Sequence, residues 1–139
     1  MRSAYYAAYV MAFVFIAGET LRRGLSYLSV NATTMVENYV CGALLLSAAV
    51  CWQQKRAVAP QLMAVAWAYA TGGMFVTFFA HLETWLRGAT IRPDHPYEEV
   101  QSVILKGVIW AICLVFLIIT LRSEDTKYPA GSIATEPVK

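Results

Sequence analysis

The stretch GVIWAICLVFLIITL, residues 107–121, contains no charged side chain and a single hydroxyl group, that of Thr120. A helix over these residues is hydrophobic on every face, whereas the helices of a soluble bundle keep a polar face for water. Together with the residues before it, the stretch supplies the roughly 20 residues that a helix needs to cross a bilayer. It therefore predicts a membrane-spanning helix over residues 100–121.

Three more apolar stretches precede this one, over residues 5–21, 35–52 and 61–86. The chain as a whole is 58% hydrophobic and 14% charged, whereas soluble domains carry about 25% charged residues. We therefore expect an all-α integral membrane protein, with a bundle of four transmembrane helices over residues 1–121. Short loops join these helices in an up-and-down order, and a polar, disordered tail follows over residues 122–139.

The ends of the first stretch indicate whether it is a cleaved signal peptide or a retained helix. Arg2 gives residues 5–21 a charged start, as in a signal peptide, but no A-x-A cleavage site leads into a polar segment. We expect a retained first helix.

Charge distribution sets expectations for orientation and partners. With four spans both termini lie on one side, and that side carries six lysines and arginines against four on the other when Lys106 is left out as intramembrane. Because positive loops favour the cytoplasm, we predict cytoplasmic termini. The net charge of +2 is too small and too dispersed for nucleic acid. The predicted surroundings are membrane lipids.

Four polar side chains lie inside the predicted spans near one end. Glu19 and His81 precede the ends of the first and third spans, and Asn38 and Lys106 follow the starts of the second and fourth. Antiparallel threading brings all four to a similar depth. Ionisable groups in a membrane are costly and usually functional, so the sequence predicts one polar layer within a single leaflet.

A histidine, a carboxylate and a lysine in one apolar layer supply the proton donor and acceptor that acid–base chemistry requires. We therefore predict catalytic roles for His81, Glu19 and Lys106, acting on a lipid-soluble small molecule that the layer binds. The alternative is a non-catalytic subunit or assembly factor of a larger membrane complex, in which buried ion pairs determine which helices meet.

Seven further residues are candidates for binding because they share a helix face or a depth with this layer. Two of them, and the catalytic candidate Glu19, also have simpler explanations. Glu37 fits a capping box with Thr34, Glu83 can pair with Arg87 one turn later unless its face meets another subunit, and Glu19 can pair with the arginines that follow it. The binding candidates are Asn38, Glu37, Glu83, Arg22, Arg23, Thr77 and Trp110.

Neither a metal nor a cofactor is expected. The chain has two histidines and three cysteines, with no Glu-x-x-His pair and no CxxC spacing. A small residue recurs every fourth position at Ala64, Ala68 and Gly72, which lets another helix approach closely. This stripe predicts a homo-oligomer or a partner membrane subunit.

Overall fold

The computed structural model describes residues 2–18, 20–21, 24–29, 32–88 and 100–125, and these residues contain helices and no strand. The predicted all-α class is confirmed. We label the four α-helices α1 to α4; a π-helical segment directly follows α1, and a 3-10 helix precedes α2. In chain order the elements are α1 (Arg2–Phe13), the π-helix (Val14–Gly18), the 3-10 helix (Leu25–Ser29), α2 (Ala32–Gln53), α3 (Ala59–Leu86) and α4 (Val100–Asp125).

Three helical segments are long and apolar enough to cross a membrane, namely Ala32–Gln53, Ala59–Leu86 and Val100–Ser123. The first predicted span corresponds to a shorter apolar helix, Ser3–Gly18. At 1.5 Å per residue that helix is about 24 Å long, less than the hydrocarbon thickness of about 30 Å.

Helix boundaries follow local backbone chemistry. Pro60 lies in the first turn of α3, where its missing N–H is not needed. Gly88, with a φ of 59°, follows the C-cap of α3 and takes the left-handed conformation that glycine adopts without strain. Helix α4 continues to Asp125, so the first residues of the predicted tail are helical. The tail from residue 126 onward lies outside the described residues.

The helices pack in chain order, with α1 on α2, α2 on α3 and α3 on α4. Small residues allow the closest approaches. A Cβ atom placed on Gly42 of α2 would lie 2.5 Å from Cγ1 of Ile16 and 3.1 Å from the carbonyl oxygen of Ala12. Between α3 and α4, Trp67 stacks on Phe116 with ring centroids 5.2 Å apart.

The helices do not end at a common level. Glu37 of α2 contacts Gly73 of α3, α2 begins five residues before Glu37, and α3 runs thirteen residues beyond Gly73. The end of α3 therefore extends past the start of α2 by about 12 Å. The start of α4 accompanies it, because Phe78 of α3 packs against Gly107. We call this end of the α3–α4 hairpin, residues 79–86 and 100–107, the projecting end.

Candidate functional site

Lys106 is buried in the projecting end, with 7% of its surface exposed. It lies seven residues before Cys113 and fourteen before Thr120, which are also buried. A spacing of seven residues places all three side chains on the same side of a helix. Lys106 therefore lies on the inward face of α4.

His81 lies at nearly the same level on α3 and is half-buried. Because Phe78 contacts Gly107 in the antiparallel hairpin, His81 is level with residue 104, within about 3 Å of Lys106 along the helix axis. The two candidate catalytic residues of α3 and α4 thus share one level.

Glu37 and Asn38 lie deeper in the bundle. The Oε1 atom of Glu37 is 2.7 Å from the position that a Cβ atom on Gly73 would occupy. Gly73 precedes His81 by eight residues, a rise of about 12 Å. Asn38 Nδ2 donates a hydrogen bond to the carbonyl oxygen of Thr34, 3.1 Å away, within α2. The register therefore does not bring Asn38 and Glu37 to the level of His81 and Lys106.

The sequence suggested a capping box for Glu37 and an ion pair for Glu83, and among the described residues the structure contains only the second. Helix α2 begins at Ala32, two residues before Thr34, and Glu37 contacts α3, so a capping box at Thr34 does not describe this helix start. Glu83 does form the expected pair one turn along α3, with its Oε1 atom 2.6 Å from Nη2 of Arg87 and both side chains largely exposed. This pair faces outward, away from the bundle interior.

Thr77 and Trp110 lie near the same end but have different surroundings. Thr77 Oγ1 donates to the carbonyl oxygen of Gly73, 3.1 Å away, within its own helix. Trp110 stacks on Phe78, with centroids 5.8 Å apart and planes at 15°, and contacts Phe75 and Phe79 edge-on. Its buried Nε1 atom has no hydrogen-bond partner within the described ranges.

Three candidates, Glu19, Arg22 and Arg23, lie outside the described residues. Beside them, Thr20 Oγ1 is 2.8 Å from the hydroxyl oxygen of Tyr39 and donates to the carbonyl oxygen of Ile16. This link between the end of the first helix and α2 was not among the sequence-based expectations. In the sequence, Thr20 near the end of the first helix and Tyr39 near the start of the second could have indicated this hydrogen bond.

An apolar groove, also absent from the sequence-based expectations, lies between α3 and α4 at the projecting end. Its volume is about 420 Å³. Ala111 contributes little side-chain volume to the lining, and the ring of Phe78 packs over Gly107. The residues that line it are Phe78, Leu82, Trp85, Val100, Val103, Ile104, Gly107, Val108 and Ala111.

The groove opens sideways and not toward the buried lysine. Val100, Ile104 and Val108 in its lining are about half exposed or more. Lys106 lies roughly 130° around α4 from the centre of the groove, given 3.6 residues per turn. The apolar groove and the inward polar side chains therefore occupy different sides of the same α3–α4 interface.

Within the described ranges no group of three or more histidine, cysteine, aspartate or glutamate residues could hold a metal ion. Cys41 and Cys113 are buried free thiols in the apolar core. The chain matches no protein-family model, no curated protein and no solved structure.

Proposed function

We propose that the protein crosses the membrane four times, with both termini in the cytoplasm. The three long apolar helices support three of these crossings, and the shorter Ser3–Gly18 helix can make the fourth if the bilayer thins locally around it, at a modest cost per ångström of mismatch. Tyr5, Tyr6 and Tyr9 form an edge-to-face cluster at the start of α1. Such amphipathic rings favour the membrane–water interface.

In this membrane protein, the groove between α3 and α4 binds a lipid-soluble small molecule. The observation that carries the proposal is an apolar cavity of about 420 Å³ that opens on the side of the hairpin. Its size falls within the range of about 300–1,000 Å³ typical of small-molecule sites. A sideways opening admits a ligand from the bilayer, where such molecules dissolve.

His81 and Lys106, with Glu19, are the groups proposed to act on the ligand by acid–base chemistry. The proposed acid–base chemistry is supported by the burial of Lys106 at the level of His81. Because Lys106 faces inward, the reactive group of the ligand must pass between the helices beside Phe78, whose ring covers Gly107.

The test compares two substitutions that add the same side-chain volume. Ala111→Leu fills the floor of the groove, whereas Ala80→Leu adds a leucine at an exposed position of α3 outside the groove. After purification in mild detergent, native mass spectrometry measures any small molecule retained. We expect one retained molecule in the wild type and in Ala80→Leu, and at least a tenfold loss in Ala111→Leu. Equal retention in the two variants would contradict the groove as the site.

A non-catalytic subunit of a larger membrane complex is the second candidate. It is favoured by the open outer face of α3, where Ala68 and Gly72 are exposed and a Cβ on Gly72 would meet no atom within 4 Å. Gly72→Leu should disrupt an assembly more than Leu117→Ala. Mass measurement of the detergent-solubilised protein decides, and a monomer in wild type and both variants would remove this candidate.

A further inference from the structure

Glu37 is a carboxylate inside the membrane-spanning bundle, on the opposite side of α3 from the groove. It lies five residues into α2 and contacts Gly73, the fifteenth of the 28 residues of α3. Gly73 lies about 140° around α3 from Phe78, which lines the groove. The two locations are therefore separate, and a site at Glu37 goes beyond the proposed function.

Gly73 gives the carboxylate the space that it occupies. A Cβ atom on Gly73 would lie 2.7 Å from Oε1 and 3.7 Å from Cδ of Glu37, whereas a Cβ on the adjacent Gly72 would meet nothing within 4 Å. Side chains longer than glycine at position 73 must therefore displace the carboxylate. We call the space beside Gly73 that the carboxylate occupies the Gly73 notch. The adjacent Gly72 makes no such contact.

The carboxylate is accessible from outside the bundle. Glu37 and Gly73 are both half-buried, whereas Ala66 and Ala70, which precede Gly73 on the same face of α3, are buried. Thr77 one turn along α3 is also half-buried, but its hydroxyl group donates to the Gly73 carbonyl. That donor is already used within the helix.

The oxygen atoms of a carboxylate are hydrogen-bond acceptors. Within the described part of the chain, Glu37 receives no hydrogen bond and forms no ion pair. In a bilayer, where water is scarce, an acceptor without a donor is costly. The chemistry that offsets this cost is a hydrogen-bond donor, which a bound molecule can supply.

We propose that Glu37, held in the Gly73 notch, is a second binding site, for a lipid-soluble molecule that presents a hydrogen-bond donor, either an alcohol or an amine. A lipophile that carries only acceptors, such as an ester, does not fit this site. Gly73 is a positioning residue, because it acts through the place that it leaves for the carboxylate.

The experiment uses three probes with the same twelve-carbon chain: dodecylamine, 1-dodecanol and methyl dodecanoate. Each is titrated into the full chain in phosphatidylcholine nanodiscs, and native mass spectrometry measures the bound fraction. We expect the amine and the alcohol to bind at least tenfold more tightly than the ester in the wild type. Glu37→Gln, which keeps the size but replaces the carboxyl group by an amide, should abolish the preference for the amine.

The glycine pair supplies a matched control. Gly73→Ala should reduce the preference for donors at least threefold, while Gly72→Ala leaves it unchanged. Glu37→Asp shortens the side chain by one methylene, so adding it to Gly73→Ala should restore part of the preference for donors. If Gly73 had only a structural role, the second substitution would not restore that preference.

Three results would overturn the proposal: no donor preference in the wild type, the same preference in Glu37→Gln, or equal effects of Gly72→Ala and Gly73→Ala. Ala111→Leu should leave the donor preference intact, since the groove lies on the other side of α3. Failure of the groove as a site would therefore be visible separately from failure at Glu37.

Discussion

Replacing Gly42 by alanine should weaken the contact between α1 and α2. The added Cβ would lie 2.5 Å from Cγ1 and 2.9 Å from Cδ1 of Ile16, and 3.1 Å from the carbonyl oxygen of Ala12. The Ile16 side chain can rotate, but the carbonyl oxygen belongs to the backbone of α1. The two helices must therefore separate or shift at this point.

The magnitude follows from two opposing effects. Alanine is favoured over glycine inside a helix by about 0.8–1.0 kcal/mol. Forcing extra volume into a packed interface costs about 1–3 kcal/mol. At Gly72 the first effect acts alone, because a Cβ there meets no atom within 4 Å. The free energy of unfolding of Gly42→Ala should therefore lie below that of Gly72→Ala by about 1–3 kcal/mol.

Reversible unfolding in mixed micelles with increasing SDS, followed by helical circular dichroism, measures this difference. The two variants change the same residue type inside apolar helices, so effects on the unfolded chain largely cancel. Equal unfolding free energies for Gly42→Ala and Gly72→Ala would refute the close approach of α1 to α2.

Two other predictions concern the polar side chains and the topology. His81→Leu and Lys106→Met should each lower the unfolding free energy, and the double variant should lose less than the sum, with a coupling of about 0.5–3 kcal/mol; additive losses would show that the two residues act independently. Single cysteines at Ser3 and Arg56 should react with a membrane-impermeant maleimide from the cytoplasmic side, and one at Gly88 from the opposite side, in a background without the native cysteines. Labelling of positions 3 and 88 from one side would contradict four spans.

The helices were predictable because their signals are local. An apolar run without charge, such as residues 107–121, specifies a buried or membrane-embedded helix whatever surrounds it. The turns at Pro60 and Gly88 likewise depend on the conformational limits of single residues. The first helix was less predictable, because its apolar length falls near the limit for spanning.

The relative depth of the helices was not predictable from spacing alone. Counting residues from the nearest loop placed Asn38 and His81 in one layer, on the assumption that all helices end together. The contact between Glu37 and Gly73 fixes the actual offset between α2 and α3, and such a contact depends on side-chain fit between distant segments. For the same reason, a capping role for Glu37 was a reasonable but wrong interpretation.

The groove escaped prediction because it arises from missing volume. A glycine and an alanine do not stand out in an apolar sequence. Gly107 and Ala111 line a groove only because Phe78 lies opposite them on α3. Lys106, by contrast, was identifiable as a buried lysine from its place inside an apolar span, and its 7% exposure agrees with that expectation.

Photolabelling with a fatty acid that carries a diazirine midway along its chain tests the proposed groove most directly. The full chain is labelled in phosphatidylcholine nanodiscs, and the modified residues are mapped by peptide sequencing. The account predicts that adducts concentrate between residues 78 and 85 and between residues 100 and 111, and that Ala111→Leu removes most of them while Ala80→Leu does not. Adducts spread evenly over exposed apolar positions such as Val65, Val76 and Val115, and unchanged by Ala111→Leu, would contradict it.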